Sequence, residues 1–289
     1  MHGEKASSRT RFSANAPIPK GKKYQKFLSD TNNKDELFQF LAKDLTNKMS
    51  SSECMFVTTK REFVLSNKGI DTDSLSPCDH EEGDTKIFVH LKHAVIEGHK
   101  KAFIRTVDTD IVVIAISVFN RLQLFGLEEL WVGFGTGRHR RDIPIHQVCQ
   151  ELGPDKCLAL PFFHAFSGSD FTAFFRGIGK KTSWNTWKAM PEMTEVFIKI
   201  TNEPNTVSLD SDLMTSIQRF VCMLYSKTGD VHLVNDARKI LFTQSLRSLE
   251  NVPPTLNALF QKVKRTILVA TFMWNQCLAR SQNLPSPQL

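Results

Sequence analysis

KAFIRTVDTDIVVIAISVFNRLQLFGLEELWVGFG, residues 101–135, decides the fold. KAFIRTV (101–107) reads as a buried strand, DTD (108–110) as the turn at its end, and ELWVGFG (129–135) as a second buried strand. IVVIAISVFNRLQLF (111–125), between them, is an apolar segment whose period leaves helix and strand both open. Just upstream, EEGDTKIFVHLKHAVIEG (81–98) carries apolar residues at 87, 88, 91, 94 and 95 and closes on Gly98, which predicts a helix stopped by a C-terminal glycine. Helix and strand alternating this quickly predict an α/β fold, a parallel sheet with helices on its faces. Ligands of such sheets gather outside the carboxyl ends of the strands, and Asp108 and Asp110 fall at one of those ends.

Toward the N-terminus, residues 1–32 hold Pro17, Pro19, Gly21 and many small polar or basic residues, the composition of a flexible arm that does not pack. Asn33 precedes DELFQFLAKDL, whose apolar positions 37, 38, 41 and 45 predict a helix. CMFVTT and EFVLS predict a short hairpin. Toward the C-terminus a helix is expected near 146–152, followed by LALPFFHAFSGSDFTAFFRGIGKKTSWNTW. A polar linker at 201–211 then leads to a helical region over 212–280 and a tail at 281–289. Its last helix shows one apolar stripe at 256, 259, 260, 263, 267, 270, 274 and 278, behind Pro253 and Pro254.

The 289 residues, 41% hydrophobic and 23% charged, suffice for a real core. The N-terminal MHGEKASSRTRF has no apolar signal region, and the longest apolar run, about 266–274, is far short of the ~20 residues of a membrane span. Neither a leader nor a membrane partner is expected. Cys54, Cys78, Cys149, Cys157, Cys222 and Cys277 form no CxxC pair and sit mostly in apolar runs, as thiols of a reducing compartment do, so a nuclear or cytoplasmic location is expected. A net charge of +7 favours polyanionic partners, and the basic residues concentrate in the first thirty positions while acids collect around 81–84.

Five carboxylates stand where they could converge: Glu82, Asp84, Asp108, Asp110 and Asp170. Hard cations such as Mg²⁺ take oxygen ligands, and phosphodiester cleavage by two metals needs several carboxylates around ions ~4 Å apart. Helix capping is the competing explanation, because an aspartate at an N-cap is worth ~1 kcal/mol and helix N-termini favour acids generally. One aspartate of DTD would serve as a cap, leaving the other to explain. Gly83, inside the predicted helix, costs up to ~1 kcal/mol relative to alanine. Gly177 and Gly179, followed by Lys180 and Lys181, would let backbone N–H groups approach a phosphate.

HEEGDTKIF, RTVDTDIVVIAI and GSDFTAFFRGIGKKT together resemble the internal motifs of the flap endonuclease and XPG group of PIN-like nucleases, over about residues 80–190. The whole chain, through ELWVGFGTGR, FFHAFSG, GKKTSWNTW and the closing LPSP, also resembles a group of uncharacterised animal proteins in which these motifs recur. The resemblance implies a Rossmann-like three-layer, parallel-sheet domain at 33–200, with a helix-hairpin-helix segment at about 165–190, followed by the helical C-terminal region. It implies a metal-dependent nuclease acting on DNA, or RNA, through its backbone. Glu82 and Asp84 match the first acidic pair, Asp108 and Asp110 the second, and Asp170 the last acid, all as catalytic ligands of Mg²⁺ or Mn²⁺. Gly177, Gly179, Lys180 and Lys181 match the turn that grips nucleic acid. The family also carries an upstream strand ending in aspartate; the first 45 residues show none, so the chain is expected to be N-terminally truncated relative to the family and its two-metal site incomplete. The alternative reading is a PIN-like binding or interaction module that has lost catalysis.

Other residues carry blander readings. Cys78, His80, His90 and His93 fit no standard zinc spacing. His164 reads as a hydrogen-bonded core histidine, and Trp184 and Trp187 as packing residues on one helical face. Arg138, His139, Arg140 and Arg141 form a basic run that suits either phosphate or solvent. No small-molecule cofactor fingerprint is present.

Overall fold

A computed structural model describes residues 17, 19–51, 53, 56–58, 64–68, 71–80, 82–226, 230–245 and 251–285. The chain divides into two compact units, Met1–Glu81 and Glu82–Leu289, so the break falls at neither of the expected boundaries, 32 and 200.

In the first unit, α1 (Lys22–Leu28) occupies part of the stretch expected to be a flexible arm. Its order has a local cause: Tyr24 and Phe27 lie three apart, their rings are 6.4 Å apart, and Phe27 is buried. The following helix, α2 (Thr31–Lys48), starts earlier than expected because Asp30 caps it, accepting from the Asn32 and Asn33 amides at 2.9 and 3.4 Å. Of its apolar positions Leu37 is buried, whereas Phe38, Leu41 and Leu45 stay exposed. The expected hairpin is present as β1 (Phe56–Thr58) and β2 (Val64–Ser66), antiparallel with Val57 opposite Leu65.

The second unit begins with α3 (Gly83–Ile96), β3 (Lys101–Thr106), α4 (Thr109–Gln123) and β4 (Glu129–Phe134). The undecided segment 111–125 thus belongs to a helix, buried on most of its circumference, with Ile114, Ala115, Val118 and Leu122 wholly inside. That all-round burial erased the amphipathic period. β3 and β4 pair in parallel, Lys101 opposite Glu129 through Thr106 opposite Phe134, as a strand-helix-strand crossover requires.

The sheet is not wholly parallel. β5 (Arg141–Pro144) returns antiparallel along β4, giving a three-stranded mixed sheet in the order β3-β4-β5. Only residues 135–140 connect β4 to β5, and a parallel return would need a dozen or more. Gly135 and Gly137, at φ +88° and +55°, make that tight reversal possible. The strand escaped sequence reading because RDIP is short, charged and ends in proline, the composition of an edge.

Helices complete the unit: α5 (Ile145–Leu152), α6 (Pro154–Ser167), α7 (Lys180–Ala189), α8 (Met193–Asn202), α9 (Asp212–Tyr225), α10 (Val234–Ser245) and α11 (Leu256–Ile267), the last widening into a π-helical stretch at Leu268–Trp274. The helices of residues 212–280 pack on the α/β part and share one core with the sheet. Aromatic contacts join them: Phe162 to Phe197 at 5.2 Å, Phe197 to Phe220 at 5.7 Å, and Phe163 to Trp187 at 4.7 Å between centroids. In the last helix Leu259, Val263, Ile267, Ala270 and Trp274 of the expected stripe are buried. Thr255, after the two prolines, caps it by accepting from the Ala258 amide. Among the described residues no helix is long and apolar enough to cross a membrane.

Gly83 is the first residue of α3, not an interior one, and a Cβ there would meet no atom within 4 Å. Gly83→Ala is accordingly expected to raise stability, by up to about 1 kcal/mol, through a less flexible unfolded chain. Urea denaturation would check this; a loss of stability would mean that the backbone there needs glycine.

Candidate metal centre

Three chain segments deliver acids to the carboxyl end of β3. Asp108 follows that strand and caps α4, its Oδ1 accepting from the Asp110 amide at 2.8 Å. Its own amide donates to Thr106 Oγ1 at 2.9 Å, which holds the turn. Capping therefore does explain part of Asp108, as the competing reading required. It does not explain Asp110, whose carboxylate is buried against α6: Asp110 Oδ1 lies 2.9 Å from His164 Nε2, with side-chain exposures of 7% and 13%. The imidazole donates, since an ionised carboxylate only accepts.

The second segment is the start of α3. Glu82 occupies the N-cap position without capping through its side chain, and Asp84 lies half-buried in the first turn. Burial pushes the Asp84 carboxyl up to about 6, and the charges of Asp108, Glu82, Asp110 and Asp170 push in the same direction. The other four acids are thus each within electrostatic reach of Asp84. The third segment is the connection after α6, which carries the exposed Asp170. Its return is pinned where Ser169 and Thr172 bridge, and Thr172 Oγ1 donates to the Ala165 carbonyl.

Lys180 is the first residue of α7, and its ammonium turns toward the end of α6, donating to the His164 carbonyl at 2.5 Å and to Ser167 Oγ at 3.0 Å. A cation there satisfies carbonyls that the end of α6 leaves open. Burial of that head group pulls its pKa down to about 8, and the charge of Asp110 opposes the fall. The site is therefore five acids with one lysine and one histidine packed behind Asp110.

Comparison of the chain with protein-family models, curated proteins and solved structures finds no match. Its functional reading rests on this chemistry.

The donor set is all carboxylate, which suits a hard cation such as Mg²⁺ or Mn²⁺ and not a soft one. Among the described residues no three His, Cys, Asp or Glu side chains stand ready to ligate a single ion. That applies equally to the zinc alternative; burial, with His93 and Lys86 nearby, lowers the His90 pKa to about 4.

The glycine turn differs from the expected helix-hairpin-helix. α6 and α7 are joined by residues 168–179, a connection too long for a tight helical hairpin. Within it Gly177 has φ +76° and Gly179 precedes the first residue of α7; a Cβ on either would meet nothing within 4 Å, so both backbones are open to an incoming group. Lys181 is exposed beside them, whereas Lys180 is committed to α6 and the acids. Trp184 and Trp187 pack as expected, with Trp187 Nε1 donating to Thr194 Oγ1 at 3.0 Å. In the basic run, Arg140 lies over Phe103 and Arg141 over Phe134.

Sequence reading placed His164 correctly as a hydrogen-bonded, mostly buried residue but missed its partner. Histidine 54 positions from an aspartate leaves no spacing signal. If Asp110 ligates a divalent ion, loss of such an orienting partner costs on the order of 10–100-fold in affinity, so His164→Ala would weaken Mn²⁺ binding by about that factor. Isothermal titration would check it; unchanged affinity would leave His164 a packing residue.

Proposed function

We propose that residues 82–289 are a divalent-metal-dependent nuclease of PIN-like type, related to the flap endonuclease and XPG group, that hydrolyses phosphodiesters of DNA or RNA. One observation carries this reading: Asp84, raised first by its own burial, also feels the charges of Glu82, Asp108, Asp110 and Asp170, acids brought from three separate segments. A half-buried carboxylate that feels four other acids is unusual for a residue that only caps a helix, and perturbed carboxylates cluster at functional sites. The parallel β3-β4 pair, with acids at its carboxyl end, supports the same reading.

Glu82, Asp84, Asp108, Asp110 and Asp170 would hold Mg²⁺ or Mn²⁺, and such ions supply an activated water and neutralise charge on the phosphoryl oxygens. Mg²⁺ keeps several waters and needs only one or two direct carboxylates. His164 orients Asp110. Asp84 holds a proton below about pH 6 and is ionised above it. Gly177, Gly179 and Lys181 offer open backbone and a cation to a phosphate. The described cysteines are buried free thiols, which supports an intracellular setting.

The test is incubation of the full chain with labelled flap, single-stranded DNA and RNA in Mn²⁺ and in chelator. Metal-dependent cleavage is expected, and its absence on all substrates would overturn the reading. A second reading, nucleic-acid binding without catalysis, is favoured by the prior engagement of Asp108 as a cap and of Asp110 with His164. Metal-independent binding without cleavage would select it.

A further inference from the structure

Beside the connection that carries Asp170 runs an open groove of about 1280 Å³, larger than the ~300–1,000 Å³ of small-molecule sites. One wall is residues 172–176 and the other is α11 with the turns before α9 and α11. Among the described residues, Arg176, Arg238, Lys262, Lys264 and Arg265 line it against one carboxylate, Asp210. A concave surface of one sign focuses its field and draws a polyanion.

Its aromatic content sets the kind of polyanion. Phe174 lies on the wall with 72% of its surface exposed, an unusual position for a large apolar ring. Phe260 also lines the groove, with the Lys264 ammonium 5.0 Å from its ring centre. Exposed rings among cations suit unpaired bases, which stack on them irrespective of sequence, whereas bases inside a duplex cannot reach. The groove also leads to the acids. Lys262 crosses its floor, donating to the Ala173 carbonyl and lying over the Phe175 ring at 4.7 Å. Lys262 feels the charge of Lys180, and Lys180 that of Asp110, so the groove floor is within electrostatic reach of the lysine beside the acids.

We propose that this groove binds an unpaired polynucleotide strand, its phosphates against Lys264 and Arg265 and a base on Phe174. The strand's direction, toward the acids, rests on the proposed nuclease function; binding itself does not. The test is fluorescence anisotropy of a labelled oligothymidylate in chelator, with the full chain. Lys264→Gln/Arg265→Gln is expected to weaken binding about tenfold or more and to reduce the salt slope by about 1.4, two single-strand phosphate contacts. Phe174→Ala is expected to weaken it about fivefold or more with the salt slope unchanged. Asp210→Asn, removing an acid that lines the groove, is expected to tighten it. Binding is read in chelator and needs no cleavage, so a failed nuclease assay leaves this proposal standing. Three outcomes would overturn it: no oligonucleotide binding, equal losses for a duplex of the same length, or displacement by polyglutamate at equal charge concentration, which would make the groove a site for acidic protein. Thermal melts of each variant confirm the fold, and Lys264→Arg, which keeps the charge, should bind normally.

Discussion

Replacing Asp108 and Asp110 together by asparagine is expected to reduce Mn²⁺-dependent cleavage on the order of 100-fold or more, with the fold retained. Asparagine is as good an N-cap as aspartate, so α4 keeps the hydrogen bond that Asp108 makes to the Asp110 amide. An asparagine at 110 still offers an oxygen to His164 Nε2. What disappears is two negative charges at the end of β3, and charge is what a hard cation requires. Single-turnover rates on the best substrate, with far-ultraviolet circular dichroism of both proteins, measure this. Equal cleavage by variant and wild type would remove the acids from the chemistry.

The second large effect is on stability. The Asp84 carboxyl is raised from 3.8 to about 6 in the folded protein, so between these values the folded state binds more protons than the unfolded one. Stability therefore falls as pH rises through that window, and the loss is complete above about pH 6. At about 1.4 kcal/mol per unit the ceiling would be about 3 kcal/mol, but Asp84 is only half-buried and solvent screens it, so about 1 kcal/mol is expected. In chelator at pH 8, Asp84→Asn should thus melt about 2–4 °C above wild type, and the difference should vanish near pH 4. Mn²⁺ should reverse the order by stabilising wild type more than the variant, because an ion that binds only the folded state adds to its stability. Parallel melting curves of the two proteins across pH, with and without Mn²⁺, measure this, and an order unchanged by Mn²⁺ would remove Asp84 from the metal ligands.

Much of the site was legible because its parts are local. A strand ending in Asp108 and Asp110, an acidic turn opening α3, and a glycine-rich approach to α7 each announce themselves within a dozen residues. The periodicity of α11 was equally plain, since one face is buried and the other wet. Elements wrapped on all sides gave no such contrast, which is why 111–125 stayed undecided until its burial was seen. α6 hid for the same reason, with Pro161 inside an almost wholly buried helix.

Positions 82, 84, 108, 110 and 170 were therefore chosen by sequence alone, through residue chemistry and spacing along the chain. That Asp84 feels the other four, that His164 stands behind Asp110, that Lys180 faces the end of α6, and that the C-terminal helices close one core with the sheet were decided only by tertiary structure. The reason is physical: helix and strand follow from neighbours within a few residues, whereas convergence follows from how buried faces pack across tens of residues, and no repeat in the sequence records that packing.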